Sequence, residues 1–133
     1  MTKRRVPKFV RVTPILIVPD VERSIGFYVD VLGFELVQKV TKEGTTPFAI
    51  LGSGGVEWML QSETSFAADV PGAVQGSGSR VACYIDVADI QALYDAVQGK
   101  AELLKPLERA PHGLLEFYLR DPDGHLIGFC QPE

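Results

Sequence analysis

The sequence predicts an α+β fold in which two tandem βαβββ modules build a curved mixed sheet around a half-barrel cleft. Three observations carry that expectation. Strand-like apolar runs and one amphipathic helix follow one another in the order strand, helix, strand, strand, strand, and that order occurs twice. A stretch rich in Ser, Gly and Ala, Ser62 to Ser79, separates the two occurrences. Sliding the chain by 66 residues brings Asp20 onto Asp86, Val21 onto Val87, Tyr28 onto Tyr94, Val31 onto Val97 and Gly33 onto Gly99, which supports an internal duplication.

The first strand is expected over Val12 to Val18, an apolar, β-branched run that stops at Pro19-Asp20, a pair suited to a turn and a helix N-terminus. Val21, Ile25, Tyr28 and Leu32 then recur on one helical face, and Gly33 follows where a C-cap belongs, so the first helix is placed at Val21 to Leu32. Phe34 to Val40, Phe48 to Leu51 and Val56 to Gln61 read as three strands, divided by the turn segments Lys42 to Thr45 and Gly52 to Gly55. Beyond the linker come a strand at Val81 to Asp86, a helix at Val87 to Val97, and strands at Glu102 to Leu107, Leu115 to Leu119 and Leu126 to Cys130. The organisation is therefore one domain over 1–133, with modules at 10–61 and 80–131 and a linker at 62–79. An incomplete barrel in each half leaves an edge to be paired, either with the other half or with a second chain, and the trough between halves is a natural binding site.

A composition of 46% hydrophobic and 23% charged residues is that of an ordinary globular domain and excludes disorder and fibrous architectures. The net charge of -4 argues against nucleic acid, whose phosphates need a positive surface, and suits a cationic or neutral partner. The basic cluster Lys3, Arg4, Arg5, Lys8 and Arg11 reads as a solvated tail. Two cysteines, Cys83 and Cys130, lie in apolar runs without the spacing of a disulfide framework, and no apolar run reaches the roughly 18 residues of a membrane span. Met1 to Val12 lacks the apolar centre of a signal peptide, so a cytoplasmic protein with reduced thiols is expected. Gly52-Ser53-Gly54-Gly55 joins strands and opens no helix, so it is not a phosphate loop.

Ile17-Val18-Pro19-Asp20-Val21-Glu22-Arg23-Ser24-Ile25-Gly26-Phe27-Tyr28, followed by Leu32-Gly33-Phe34, resembles the opening helix signature of the vicinal-oxygen-chelate superfamily, which holds glyoxalases, bleomycin resistance proteins and extradiol dioxygenases. Glu116-Phe117 and Arg120-Asp121-Pro122-Asp123-Gly124-His125-Leu126-Ile127 resemble its last hairpin, and Val56 to Gln61 resembles the fourth strand of the bleomycin-resistance branch. Enzymes of the superfamily hold a divalent metal with His, Glu or Gln near the middle of the first, fourth, fifth and eighth strands. The resemblance places Thr13, Met59, Ala82 and Gly128 at those positions, none of them a usual ligand, and among their neighbours only Cys83 could bind a metal. No metal or other cofactor is expected.

Aromatic side chains on the strands, Phe48, Trp58, Tyr84 and Tyr118 among them, could line a cleft for a flat or cationic ligand by stacking and cation–π contact. Trp58 is equally compatible with a buried core. His112 stands where bleomycin-resistance relatives often carry a cleft Trp, which makes it a candidate ligand contact, whereas His125 reads as a solvated turn residue. Glu116, with Glu57, is the candidate for acid–base work or ligand contact, against the plainer reading of a surface carboxylate. The resemblance thus implies a metal-free, homodimeric binding protein that sequesters a small molecule. The alternative is a lyase, isomerase or dioxygenase of the same superfamily with an atypical metal site or none.

Overall fold

The computed structural model describes residues 11–70, 81–111 and 113–133. The first half runs β1 (Ile15–Val18), α1 (Val21–Gly26), β2 (Glu35–Lys42), β3 (Thr45–Ser53) and β4 (Val56–Ser62). The second runs β5 (Ala82–Asp86), α3 (Ile90–Val97), β6 (Glu102–Ala110), β7 (Leu114–Arg120) and β8 (Leu126–Pro132). Between them α2 (Glu63–Asp69) occupies the start of the stretch expected to be linker. Ser62 caps it by accepting the Ser65 N–H at 3.1 Å, and a helix of seven residues is too short to show a period in sequence.

Each half is a four-stranded sheet, and the two orders, β1-β4-β3-β2 and β5-β8-β7-β6, are the same topology. In both, the first strand runs parallel to the fourth and the others pair antiparallel. The duplication is real, but its offset is not uniform. Asp20 and Asp89 each cap a helix by accepting the N–H three residues on, an offset of 69, whereas the glycines that end the helices in the left-handed region, Gly33 and Gly99, are 66 apart. The expected equivalence of Asp20 with Asp86 is thereby corrected, because Asp86 still belongs to β5. The three extra residues of the first half are taken up where α1 gives way to a wider π-helical turn, Phe27–Val31. That turn sends both Phe27 and Tyr28 into the core, although they are neighbours in sequence.

Period-2 alternation sorts each sheet into a covered and an open face. Leu16, Val18, Ala49, Leu51, Trp58 and Leu60 lie on the covered face of the first sheet, and Phe117, Leu119, Ile127 and Phe129 on that of the second. These residues join in one continuous core with Val21, Tyr28, Ile90 and Val97 of the helices. Each large apolar side chain so buried contributes about 1.5–3 kcal/mol. The open faces keep apolar groups in solvent, including Ile15, Val40 and Tyr84.

A buried carboxylate ties the halves together. Asp121 begins the Asp121-Pro122-Asp123-Gly124 turn, which closes with the Gly124 N–H on the Asp121 carbonyl at 3.0 Å, and its side chain has no exposure. Oδ1 accepts the backbone N–H groups of Asp123 and His125, and Oδ2 accepts the Tyr28 hydroxyl and His125 Nδ1, both at 2.8 Å. Beside it Asp123 accepts Ser24 Oγ at 3.2 Å and pairs with Arg23. The expectation that His125 is a solvated turn residue is corrected: its side chain is mostly buried, because the hairpin lies against the first module and the ring completes the Asp121 shell.

Candidate functional site

The open face of the second sheet carries a group of polar and aromatic side chains. Pairing sets two neighbouring rows across it, Tyr84–Gly128–Tyr118–Lys105 and Asp86–Cys130–Glu116–Glu108, running from β5 through β8 and β7 to β6. On β5, β8 and β7 the paired members are two apart and so share a face, and on β6 a register shift absorbs the third residue between Lys105 and Glu108, so the rows touch. Tyr84 donates its hydroxyl to Glu116 Oε1 at 2.7 Å, and Lys105 Nζ donates to Oε2. The same ammonium stands 5.9 Å from the centre of the Tyr118 ring and 3.5 Å from Glu108. Cys130 Sγ donates to Asp86 Oδ1 at 2.9 Å.

Gly128 lets this arrangement close. The Tyr84 and Tyr118 rings lie 6.0 Å apart, tilted by 31°, and converge above it. A Cβ at 128 would fall 2.5 Å from Tyr118 Cε2 and 2.9 Å from Tyr84 Cδ1, inside van der Waals contact with both. The rings therefore occupy the volume that any side chain at this position would need.

Hydrogen bonding holds the protons in place. The bond from Lys105, then that from Tyr84, keeps the Glu116 carboxyl below its ordinary range. Its carboxylate in turn raises the Tyr84 phenol and the Lys105 ammonium. Near neutral pH the group is an anion, a neutral phenol and a cation, with no member poised to exchange a proton. Burial raises the Cys130 thiol, which stays protonated. The face thus presents an aromatic floor, a nearly buried carboxylate, and three carboxylates in all against one ammonium.

Of the candidates from sequence, Tyr84, Glu116 and Tyr118 are brought together here. Phe48 sits on the other sheet, half-buried in the row Val40–Phe48–Gln61–Ile17. Trp58 is corrected from cleft to core: it is 1% exposed, stacked on Phe34 at 4.9 Å and edge-on to Tyr28 at 5.0 Å, because its place in β4 points it toward α1. Glu57 is exposed, and His112 lies outside the described residues. Lys105, Asp86 and Cys130 were not anticipated. Lys105 reaches Tyr118 only through a shifted β6–β7 register, which no local pattern reveals.

The four positions that the resemblance makes equivalent to metal ligands carry no side chain that usually binds a divalent ion. Met59 lies opposite Ile15 and Ala82 opposite Leu126, Thr13 precedes β1, and the space over Gly128 is filled by tyrosine rings. Among the described residues, His, Cys, Asp and Glu side chains gather nowhere in a group of three that could hold a metal. Elsewhere, an open trough of about 1140 Å³ runs along the end of the first sheet past Pro19, Lys39, Thr46, Ser62 and Asp69. Within it Glu22 accepts from Thr46 and pairs with Lys39 at 3.1 Å.

Each half of the chain is thus a four-stranded sheet with one face packed in the core and the other left open. Residues 8–129 match the sequence profile of the Glyoxalase/Bleomycin resistance protein/Dioxygenase superfamily. The chain is 34% identical to a bleomycin resistance protein of Geobacillus stearothermophilus, over 89% of this chain and 93% of that one. Its fold is similar to that of TioX from Micromonospora sp. ML1 (25% identity, TM-score 0.75, 94% of this chain and 100% of that one). It is similar also to a protein of unknown function from Agrobacterium tumefaciens (27% identity, TM-score 0.77, 96% and 98%). The chain belongs to the glyoxalase/bleomycin resistance/dioxygenase superfamily. Among the described residues no helix is long and apolar enough to cross a membrane.

Proposed function

We propose that this protein binds and sequesters a small aromatic, cationic molecule on the open face of the second sheet, without a metal. The observation that carries the reading is the Tyr84–Tyr118 pair over Gly128 with Glu116 beside it: π surface in solvent and a carboxylate that stays ionised. Stacking and cation–π attraction are the chemistry such a floor offers. The excess of Glu108, Asp86 and Glu116 over Lys105, within a chain of net charge -4, favours a cation. A relative named for bleomycin resistance supports a drug-like ligand.

The working unit in this proposal is a homodimer in the cytoplasm. Exposed Ile15 and Val40 leave the open face of the first sheet with apolar surface that a second copy would cover, and Phe48 would line the cleft from there. His112 is retained as a candidate ligand contact. Calorimetric titration of the purified chain with metal-free bleomycin, before and after removal of trace metal with chelator, tests the reading. Saturable binding that chelator leaves unchanged is the expected result. Tight stoichiometric metal on elemental analysis, or binding that survives Y84A and Y118A together, would overturn it and point to the enzymatic alternative.

A further inference from the structure

On the reading that the tyrosine face receives ligand, one of its own residues occupies the place a ligand cation would take. Lys105 Nζ sits against Glu116 Oε2 and over the Tyr118 ring, the two partners that recognise an ammonium group: an anion in line and a π face beside it. We propose that Lys105 is the resident occupant of an ammonium subsite, displaced when a ligand bearing a primary ammonium binds, and that it thereby sets the selectivity of the face.

Three features make displacement feasible and selective. First, Lys105 belongs to the edge strand β6, whose register against β7 shifts on both sides of it, and its side chain is 38% exposed. The four-carbon stem can therefore rotate outward about its own side-chain bonds into solvent. Second, Glu108 stands 3.5 Å from the ammonium and half in solvent, so a displaced Lys105 keeps an anionic partner. Third, Glu116 is 9% exposed. Removing its cation without replacement would leave a nearly buried carboxylate with the Tyr84 hydroxyl alone, which is unfavourable. A ligand must therefore bring its own positive charge, and a neutral aromatic compound of the same shape cannot take the subsite.

The test is a titration of wild-type chain, K105A and K105A/E116Q with benzylammonium and with its neutral analogue benzyl alcohol, followed by calorimetry. K105A is expected to bind benzylammonium about tenfold or more tightly than wild type, as loss of a resident competitor implies. Benzyl alcohol should show no such gain, and E116Q should abolish it. K105M, which keeps the apolar stem, serves should K105A fold poorly. Equal binding of benzylammonium to wild type and both lysine variants, including no binding to any, overturns the proposal, as does an equal gain for benzyl alcohol. Because K105A with benzylammonium reads the subsite alone, the proposal stands or falls separately from the bleomycin titration of the wild-type chain.

Discussion

Replacing Tyr28 by Phe removes one oxygen from the centre of the junction between the two modules. Tyr28 has no exposure, and its hydroxyl donates at 2.8 Å to Asp121 Oδ2, on a side chain that is also fully buried. The ring keeps its edge-to-face contacts with Phe27, Phe34 and Trp58, so the change leaves no large cavity. What is lost is a hydrogen bond to a charged acceptor, about 1.5–3 kcal/mol, and the carboxylate is left with three donors in place of four. Y28F should therefore destabilise by about 2 kcal/mol, a fall in Tm of roughly 6–8 °C for a domain of this size. Urea unfolding should show a lower midpoint at unchanged slope. In a D121N background the same substitution should cost much less, since the charge that strengthens the bond is gone. A loss below about 0.5 kcal/mol, or an equal loss in both backgrounds, would refute the view that Asp121 is held by Tyr28 across the modules.

Two further outcomes follow from the same groups and from the tyrosine face. The hydrogen bond to Asp121 raises the His125 pKa against the opposing effect of burial, so its contribution is complete below the ordinary imidazole range and is lost as pH rises through the elevated folded value. Burial pushes the Asp121 carboxyl up, but the bonds from His125 and Tyr28 outweigh it and hold the carboxyl low; that contribution is present above the ordinary carboxylate range and lost as pH falls through the depressed value. Urea midpoints of wild type should thus decline as pH rises past the ordinary imidazole range, and H125Q should flatten that limb; a decline of equal size in H125Q assigns it elsewhere. At Gly128, Ala should force the Tyr84 and Tyr118 rings apart, costing about 1–3 kcal/mol if they cannot move and less if they swing into solvent. In either case near-ultraviolet circular dichroism should change and bleomycin binding should weaken, and an unchanged spectrum would contradict the packing described.

Much of the fold is written in patterns that a reader of the chain can see. The Val21, Ile25, Tyr28 and Leu32 spacing, the Asp20 cap, the Asp121-Pro122-Asp123-Gly124 turn and the two rounds of strand, helix and three strands are local or periodic properties, set by backbone sterics and by one buried face per element. They locate all eight strands and the two module helices, and with the motif resemblance they place the chain in its superfamily. Which face each aromatic takes is decided elsewhere. Trp58 and Tyr84 both lie on strands of alternating character, and one is core while the other is exposed, because the side covered by helix depends on register and on how the modules meet. The bond from Lys105 to Glu116 crosses a shifted ladder, and Tyr28 meets Asp121 across 93 residues of chain. Pairings of that range have no periodic trace in sequence. They exist only once the sheets are registered and the hairpin is laid against α1, which is why the junction and the charge arrangement of the open face were decided by the tertiary structure.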